Sequence, residues 1–172
     1  MRQYPFPCFY RVDLDNKTVV PVDGNLPEGL TIYSTQTAAS AHAVYLLGST
    51  YDENYDEIFV LLKMTWDSGQ EEFVQEDLSQ GLPALDYLDL LKASMAGFDN
   101  GIALICTDAS GQDTFILEDD ETRFRALEQV SCYNKAFQPI AACGDGWLYV
   151  LAMNATEPEV VYLRSTRFGA DE

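Results

Sequence analysis

Four times along the chain, a run of apolar and β-branched residues is followed by turn-forming residues and then by a second such run. The paired runs are residues 8–14 with 18–22, 58–66 with 72–75, 102–106 with 114–117, and 140–143 with 147–153. Aspartate, asparagine, serine and glycine between the runs favour tight turns, so each pair is a predicted β-hairpin. A further run at residues 160–163 is expected to add a strand to the last hairpin. The pattern therefore favours a largely antiparallel sheet.

Apolar residues also recur at helical spacing after each of the first three hairpins. The predicted helices are residues 35–47, residues 83–96, and a third that opens at Asp119 or Asp120 and carries Phe124, Leu127 and Val130 on one side. The third helix would contain an i,i+4 ion pair between Glu121 and Arg125. The predicted fold is α+β: hairpin-then-helix units build a mixed, mainly antiparallel sheet with helices on one face.

The chain is expected to form one domain over residues 1–172. It contains 47% hydrophobic residues, enough for a sizeable core, and no low-complexity or Gly/Ser-rich stretch divides it. No apolar leader follows the N-terminus and no stretch approaches the length of a membrane-spanning helix, so neither secretion nor a membrane span is expected. The cysteines lie far apart among apolar residues, which predicts reduced, buried thiols in a cytoplasmic protein. They are Cys8, Cys106, Cys132 and Cys143.

The net charge narrows the possible partners. Ten Lys and Arg residues stand against 28 Asp and Glu residues, which gives −18 at neutral pH. Such a surface repels phosphate backbones and anionic lipid, and it attracts basic proteins. We therefore expect no binding to nucleic acid or membranes, and a basic protein as partner.

Motifs for catalysis, metals and cofactors are weak. His42 is the only histidine and has no nucleophile signature beside it, so it is expected to be an ordinary surface or half-buried residue. Residues 52–56 resemble the opening of a calcium loop, but Glu57 stands where the loop needs glycine and Lys63 where it needs glutamate. No phosphate-binding or zinc spacing is present. The expectation is no metal, no cofactor and no assignable catalytic residue.

The acidic residues gather into three clusters near the ends of predicted strands. They are Asp52, Glu53, Asp56 and Glu57; Glu71, Glu72, Glu76 and Asp77; and Glu118, Asp119, Asp120 and Glu121. If one edge of the domain collects them, they form a docking face for a basic protein, since complementary charge steers association. Tyr51, Tyr55 and Phe73 lie within the clusters and are candidate aromatic anchors, or alternatively core residues. The competing interpretation is that the acidic residues only keep the protein soluble.

The C-terminal part of the chain resembles a known family. Residues 138–151, with their proline, Gly-Asp and apolar strand, followed by residues 159–163, resemble the closing strands of the SUKH superfamily. Many SUKH members are bacterial immunity proteins that neutralise a polymorphic toxin by binding it. Upstream, residues 25–29 supply only a fragment of the family pattern. The resemblance implies an immunity function but carries over no functional residues.

Together, charge and resemblance predict an acidic, protein-binding inhibitor, an immunity protein that neutralises a basic toxin or effector such as a nuclease by direct binding. Two alternatives stay open. One is a nucleic-acid mimic of the anti-restriction or anti-CRISPR type, in which carboxylates take the place of phosphates. The other is a small enzyme or ligand-binding domain that works through carboxylates.

Overall fold

The computed structural model describes residues 9–22, 26–27, 29–85, 90–107, 112–127, 136–154 and 161–167. These residues form thirteen β-strands, one 3₁₀ turn at Ser79–Gly81 and a short α-helical stretch at residues 90 and 91. The strands are β1 (Phe9–Asp13), β2 (Thr18–Val22), β3 (Thr31–Ala39), β4 (Ala43–Tyr51), β5 (Glu57–Asp67), β6 (Glu72–Asp77), β7 (Ser94–Phe98), β8 (Gly101–Thr107), β9 (Gln112–Glu118), β10 (Arg125–Ala126), β11 (Ala136–Gly144), β12 (Trp147–Asn154) and β13 (Val161–Arg167).

The strands form four antiparallel sheets in which neighbours in sequence are neighbours in space. β1 and β2 form an N-terminal hairpin, β3 to β6 form sheet I, β7 to β10 form sheet II, and β11 to β13 form sheet III. All four predicted hairpins are present, as β1–β2, β5–β6, β8–β9 and β11–β12, and β13 adds the expected last strand. The turn-forming residues and β-branched runs were therefore a sufficient signal for the hairpins.

Sheets I and II pack face to face around the largest core. Sheet I contributes Tyr45, Leu47 and Leu61, and sheet II contributes Ile102 and Leu104, all nearly inaccessible to solvent. Large side chains from both sheets interdigitate here, and the removal of this apolar area from water is the main force that holds the two sheets together.

Sheet II is buried on its second face as well. Ala103 and Ile105 alternate with the residues that face sheet I, and they pack against Leu148 and Val150 of sheet III. Successive side chains of a strand point to opposite faces, so β8 must be apolar at every position from 102 to 106. Sheet II is thus the middle layer of a stack in the order I, II, III.

The first strands of the three sheets lie side by side. β7 contacts β3 on one side and β11 on the other. The approach to β3 is close: a Cβ placed on Gly97 would stand 1.7 Å from the main-chain oxygen of Ala39, so only glycine fits. Antiparallel meanders stacked in chain order with adjacent first strands resemble consecutive blades of a β-propeller.

The predicted α+β class is wrong, because most of the described residues lie in strands and a strand occupies all or part of each segment assigned to a helix. Residues 35–47 form most of the β3–β4 hairpin, with exposed His42 in its turn. Both faces of β4 are buried at Tyr45, Leu46 and Leu47, so its apolar residues do not alternate. An uninterrupted apolar run of this length fits a helix and a doubly buried strand equally well.

Of the other two helix predictions, the second fails at its C-terminal end and the third fails throughout its described part. In the segment 83–96, residues 90 and 91 are α-helical, residues 86–89 lie outside the described residues, and β7 begins at Ser94. In the third segment, the amide of Phe124 donates to the carbonyl of Gly81 at 3.2 Å and β10 pairs with β9. These long-range main-chain bonds replace the i,i+4 pattern of a helix. Val130 lies outside the described residues.

Candidate functional site

The strand registers place the acidic clusters at different ends of the stack. We call the end where β3, β7 and β11 finish, at Ala39, Phe98 and Gly144, the upper end. β4 runs from the upper end down to Tyr51, so the first cluster lies at the lower end. β9 rises to Glu118, which pairs with Gly101, so the third cluster lies at the upper end. β4 has nine residues, and its length separates these ends by roughly 27 Å.

The second cluster is itself divided. Glu71 lies in the upper turn between β5 and β6 and Glu72 begins β6, whereas Glu76 and Asp77 pair with Lys63 and Leu62 in the middle of β5. Glu76 stands 3.6 Å from the Lys63 ammonium group. The structure therefore does not bring the three clusters together into one negative face.

Several of the aspartates shape their own turns. The Asp52 Oδ1 atom accepts hydrogen bonds from the amides of Asn54 and Asp56 at 2.8 and 2.9 Å. These backbone hydrogen bonds lower the pKa of Asp52, because they stabilise its charged form. Asp13 makes the same kind of turn after β1, and hydrogen bonds with Asn16 likewise lower its pKa. Part of the acidity is therefore used to close turns.

The first cluster also carries exposed aromatic residues. Tyr51 is 64% exposed and Tyr55, in the turn beside Glu53 and Asp56, is 87% exposed. Tyr55 has a φ of 65°, a left-handed conformation that this tight turn requires. Phe73, the third predicted anchor, instead meets the Trp66 ring edge-to-face at 5.2 Å. Of the three predicted anchors, Tyr51 and Tyr55 present large accessible aromatic surfaces next to acidic residues.

Asp119 of the third cluster joins sheets I and II. Its carboxylate accepts hydrogen bonds from the Tyr45 hydroxyl at 2.7 Å and the Ser40 hydroxyl at 2.9 Å, and its carbonyl accepts one from Lys63 at 2.5 Å. Burial, reinforced by Asp119, raises the pKa of Tyr45, which keeps it a neutral donor. We call these four residues the Asp119 cluster. These hydrogen bonds connect sheets I and II, so the role of the Asp119 cluster is structural. The neighbouring Asp120 is exposed.

The other two acids of the third cluster differ in environment. Glu121 is exposed in the turn after β9. Glu118 binds the guanidinium of Arg125 at 3.2 Å, so Arg125 pairs with Glu118 instead of the predicted Glu121. The predicted i,i+4 pair is wrong because the segment is not helical.

A groove separates the N-terminal hairpin from the upper turn of sheet I. It has a volume of about 540 Å³, and Glu71 and Glu72 line it together with Trp66. The Arg11 guanidinium lies 5.3 Å from the centre of the Trp66 ring, a cation–π distance. This groove already holds a cation from the chain itself.

A larger cavity, of about 570 Å³, opens at the upper end, where the turns that follow β3, β7 and β11 converge. We call it the upper cavity. Its walls carry the acidic residues Asp99, Glu118 and Asp145, with Arg125 and Phe98. The sequence analysis selected Glu118 as a member of the third acidic cluster, and it did not select Asp99 or Asp145 as binding residues. The only available signal was the recurrence of Asp-Asn-Gly at 99–101 and Gly-Asp-Gly at 144–146.

The turns around the upper cavity are held in place. The amide of Ala41 donates to the carbonyl of Asp99 at 3.0 Å, which ties the first turn to the second. Asp145 and Gly146 both have positive φ angles, 51° and 74°, as the type I′ turn of a tight hairpin requires. The Asp-Gly turn predicted from sequence is therefore confirmed.

Two cysteines, Cys106 and Cys143, lie among the described residues. Cys143 lines the upper cavity, but burial raises the pKa of its thiol to about 11, so the thiol stays protonated at neutral pH. Cys106 is buried in the core, and Cys8 and Cys132 lie outside the described residues. Within the described ranges, no three His, Cys, Asp or Glu side chains are grouped so that they could hold a metal ion.

In the same part of the chain, no helix has the length and apolar character needed to cross a bilayer. Of the residues that carry the SUKH resemblance, 138–151 lie in β11, β12 and the turn between them, and 161–163 lie in β13; residues 159 and 160 lie outside the described residues. No protein-family model, curated protein or solved structure matches the chain.

Proposed function

We propose that this protein is an acidic, protein-binding inhibitor that neutralises a basic toxin or effector by direct binding, in the manner of a bacterial immunity protein. The observation that carries the proposal is the lower turn between β4 and β5. It combines exposed Tyr51 and Tyr55 with the carboxylates of Glu53 and Asp56. Tyrosine anchors surrounded by charge are characteristic of protein–protein contact sites.

The charge distribution supports a basic partner. A net charge of −18 attracts a cationic surface over a long range, and the exposed carboxylates of the lower turn supply close contacts. A nuclease toxin fits because its active site must attract phosphate and is therefore positively charged. The immunity part of the proposal rests on the resemblance of the β11 to β13 sequence to SUKH closing strands. The proposed site of action is the cytoplasm.

The partner is identified by co-expressing the protein with the product of the neighbouring gene and by affinity capture from source-cell lysate. The association rate is then measured by stopped-flow at increasing ionic strength. We expect it to fall as the Debye length shrinks from about 30 Å at 0.01 M to about 8 Å at 0.15 M. The dissociation rate should change much less. An acidic partner, or an association rate indifferent to salt, contradicts the proposal.

Two variants locate the contact. Tyr55→Ala should speed dissociation at least about tenfold if Tyr55 is an anchor. Tyr10→Ala removes another exposed tyrosine, 61% accessible but on the N-terminal hairpin, and serves as the matched control. Equal dissociation rates for these two variants would show that the lower turn does not bind the partner.

A further inference from the structure

We propose that the upper cavity binds an organic cation, through a guanidinium or primary ammonium group. The site is separate from the lower turn, and the inference does not depend on the proposed function. Its basis is the cavity formed by the turns after β3, β7 and β11, with a lining that carries both carboxylates and a guanidinium that one of them already binds.

The sign of the charge selects a cation. Of the described residues that line the cavity, Asp99, Glu118 and Asp145 are acidic and Arg125 alone is basic. Arg125 is already paired with Glu118 at 3.2 Å, which leaves the lining with a net negative charge. A concave site lined by one sign of charge concentrates ligands of the opposite sign, and the charge of the whole chain acts in the same direction. An anionic ligand is therefore disfavoured.

The Arg125–Glu118 pair shows which chemical group the cavity lining binds. A guanidinium from the chain already donates to a carboxylate in the cavity lining, in a half-exposed position. Charge-assisted bonds of this kind are stronger than neutral hydrogen bonds. Asp99 and Asp145 offer the same acceptor group to a ligand at the tips of two neighbouring turns.

The size of the cavity favours an organic ligand over a bare ion. Its volume of about 570 Å³ falls within the about 300–1,000 Å³ that small-molecule sites occupy. The close approach of β7 to β3 at Gly97 and the hydrogen bond between Ala41 and Asp99 hold two of the three turns together before any ligand binds. A preformed site loses less entropy when it binds. Phe98 adds an aromatic side chain to the lining.

The test is an NMR titration of the intact protein at 0.15 M salt with three probes. Agmatine represents a free organic cation, N-acetyl-arginine amide represents a peptide side chain, and N-acetyl-citrulline amide is the uncharged equivalent. The readout is the amide shifts of the glycines at the upper end, Gly97, Gly101, Gly144 and Gly146. We expect saturable shifts with one or both cations and none with citrulline amide. The preferred cation identifies the source of the ligand.

The paired variants Asp99→Asn with Asp145→Asn should weaken binding at least about tenfold. Asparagine keeps the side-chain size and tolerates positive φ, so the turns are retained. The control, Glu53→Gln with Asp56→Asn, removes the same charge at the lower turn and should change the affinity less than about twofold. Absence of saturable shifts, equal binding of citrulline amide, or equal weakening by both pairs overturns the proposal. Because the protein partner is tested through Tyr55, either proposal can fail alone.

Discussion

Replacing Asp119 with alanine removes the acceptor of two side-chain hydrogen bonds, from Tyr45 at 2.7 Å and from Ser40 at 2.9 Å. A hydrogen bond to a charged group contributes about 1.5–3 kcal/mol. Asp119 is only partly buried and one carboxylate serves both donors, so the two contributions do not add in full. We expect the free energy of unfolding to fall by about 2–3 kcal/mol. For a chain of this length, that lowers Tm by roughly 4–12 °C.

The assay is urea and thermal unfolding followed by circular dichroism. Asp120→Ala, which changes the exposed neighbour, should stay within about 0.5 kcal/mol of the parent. Tyr45→Phe should cost about 1 kcal/mol, and the double variant with Asp119→Ala should show a coupling of at least about 0.5 kcal/mol. If Asp119→Ala is as stable as Asp120→Ala, the Asp119 cluster does not hold sheets I and II together. Asp119 would then again be a candidate for partner binding.

Three further outcomes test the fold. Gly97→Ala forces apart two neighbouring first strands and should cost about 1–3 kcal/mol or more, whereas Gly144→Ala, with open space around it, should be neutral in the same thermal unfolding assay. Gln36→Leu removes the buried amide that donates to two carbonyls at 2.8 and 3.2 Å, and should cost about 2–3 kcal/mol in urea unfolding. The pKa values of Asp13 and Asp52 are lowered in the folded protein, so their contribution to stability is present above the unfolded value of 3.8 and is lost as pH falls through the lower folded values. Hydrogen exchange of the amides in these two turns, corrected for intrinsic rates, should become faster on acidification. Exchange rates that do not change with pH would contradict the prediction.

The hairpins could be predicted because their signals are local. Asp145 and Gly146 tolerate positive φ, and a short apolar run lies on each side of them, at 140–143 and 147–153. Asp67 likewise closes its own turn by accepting the amides of Gly69 and Gln70 at 2.7 and 3.2 Å. Interactions within a few residues determine such elements, so the sequence is sufficient to find them.

The helix predictions failed where the structure depends on distant residues. Leu46 and Leu47 are both buried because β4 is covered on two faces, and this cannot be known before the layers are known. Thr114 accepts the amide of Leu127 at 2.8 Å, a bond between residues thirteen apart that competes with local helix formation. Helical periodicity within one segment contains no information about either effect.

The candidate site was only partly predictable for the same reason. Clusters such as Glu71 to Asp77 were grouped by proximity in sequence, but β6 carries Glu76 and Asp77 away from the upper turn to the middle of β5, where Glu76 approaches Lys63. Asp99 and Asp145 are distant in sequence and meet at one cavity because β7 and β11 are adjacent first strands. Stacking of sheets, and not sequence spacing, brings these carboxylates to one place.

The architecture also divides the acidic residues into two kinds with different uses. A meander of many short strands needs many turns, and the aspartates Asp13, Asp52 and Asp67 each accept main-chain amides within their own turn. Glutamate has one methylene group more than aspartate and closes such turns poorly. The need to close turns therefore does not explain the presence of glutamates such as Glu53 and Glu121. Their exposed charge, like that of Asp56, is available to a partner. Replacing exposed glutamates such as Glu53 and Glu121 with glutamine therefore reports on binding, whereas replacing Asp13, Asp52 and Asp67 with alanine reports first on folding.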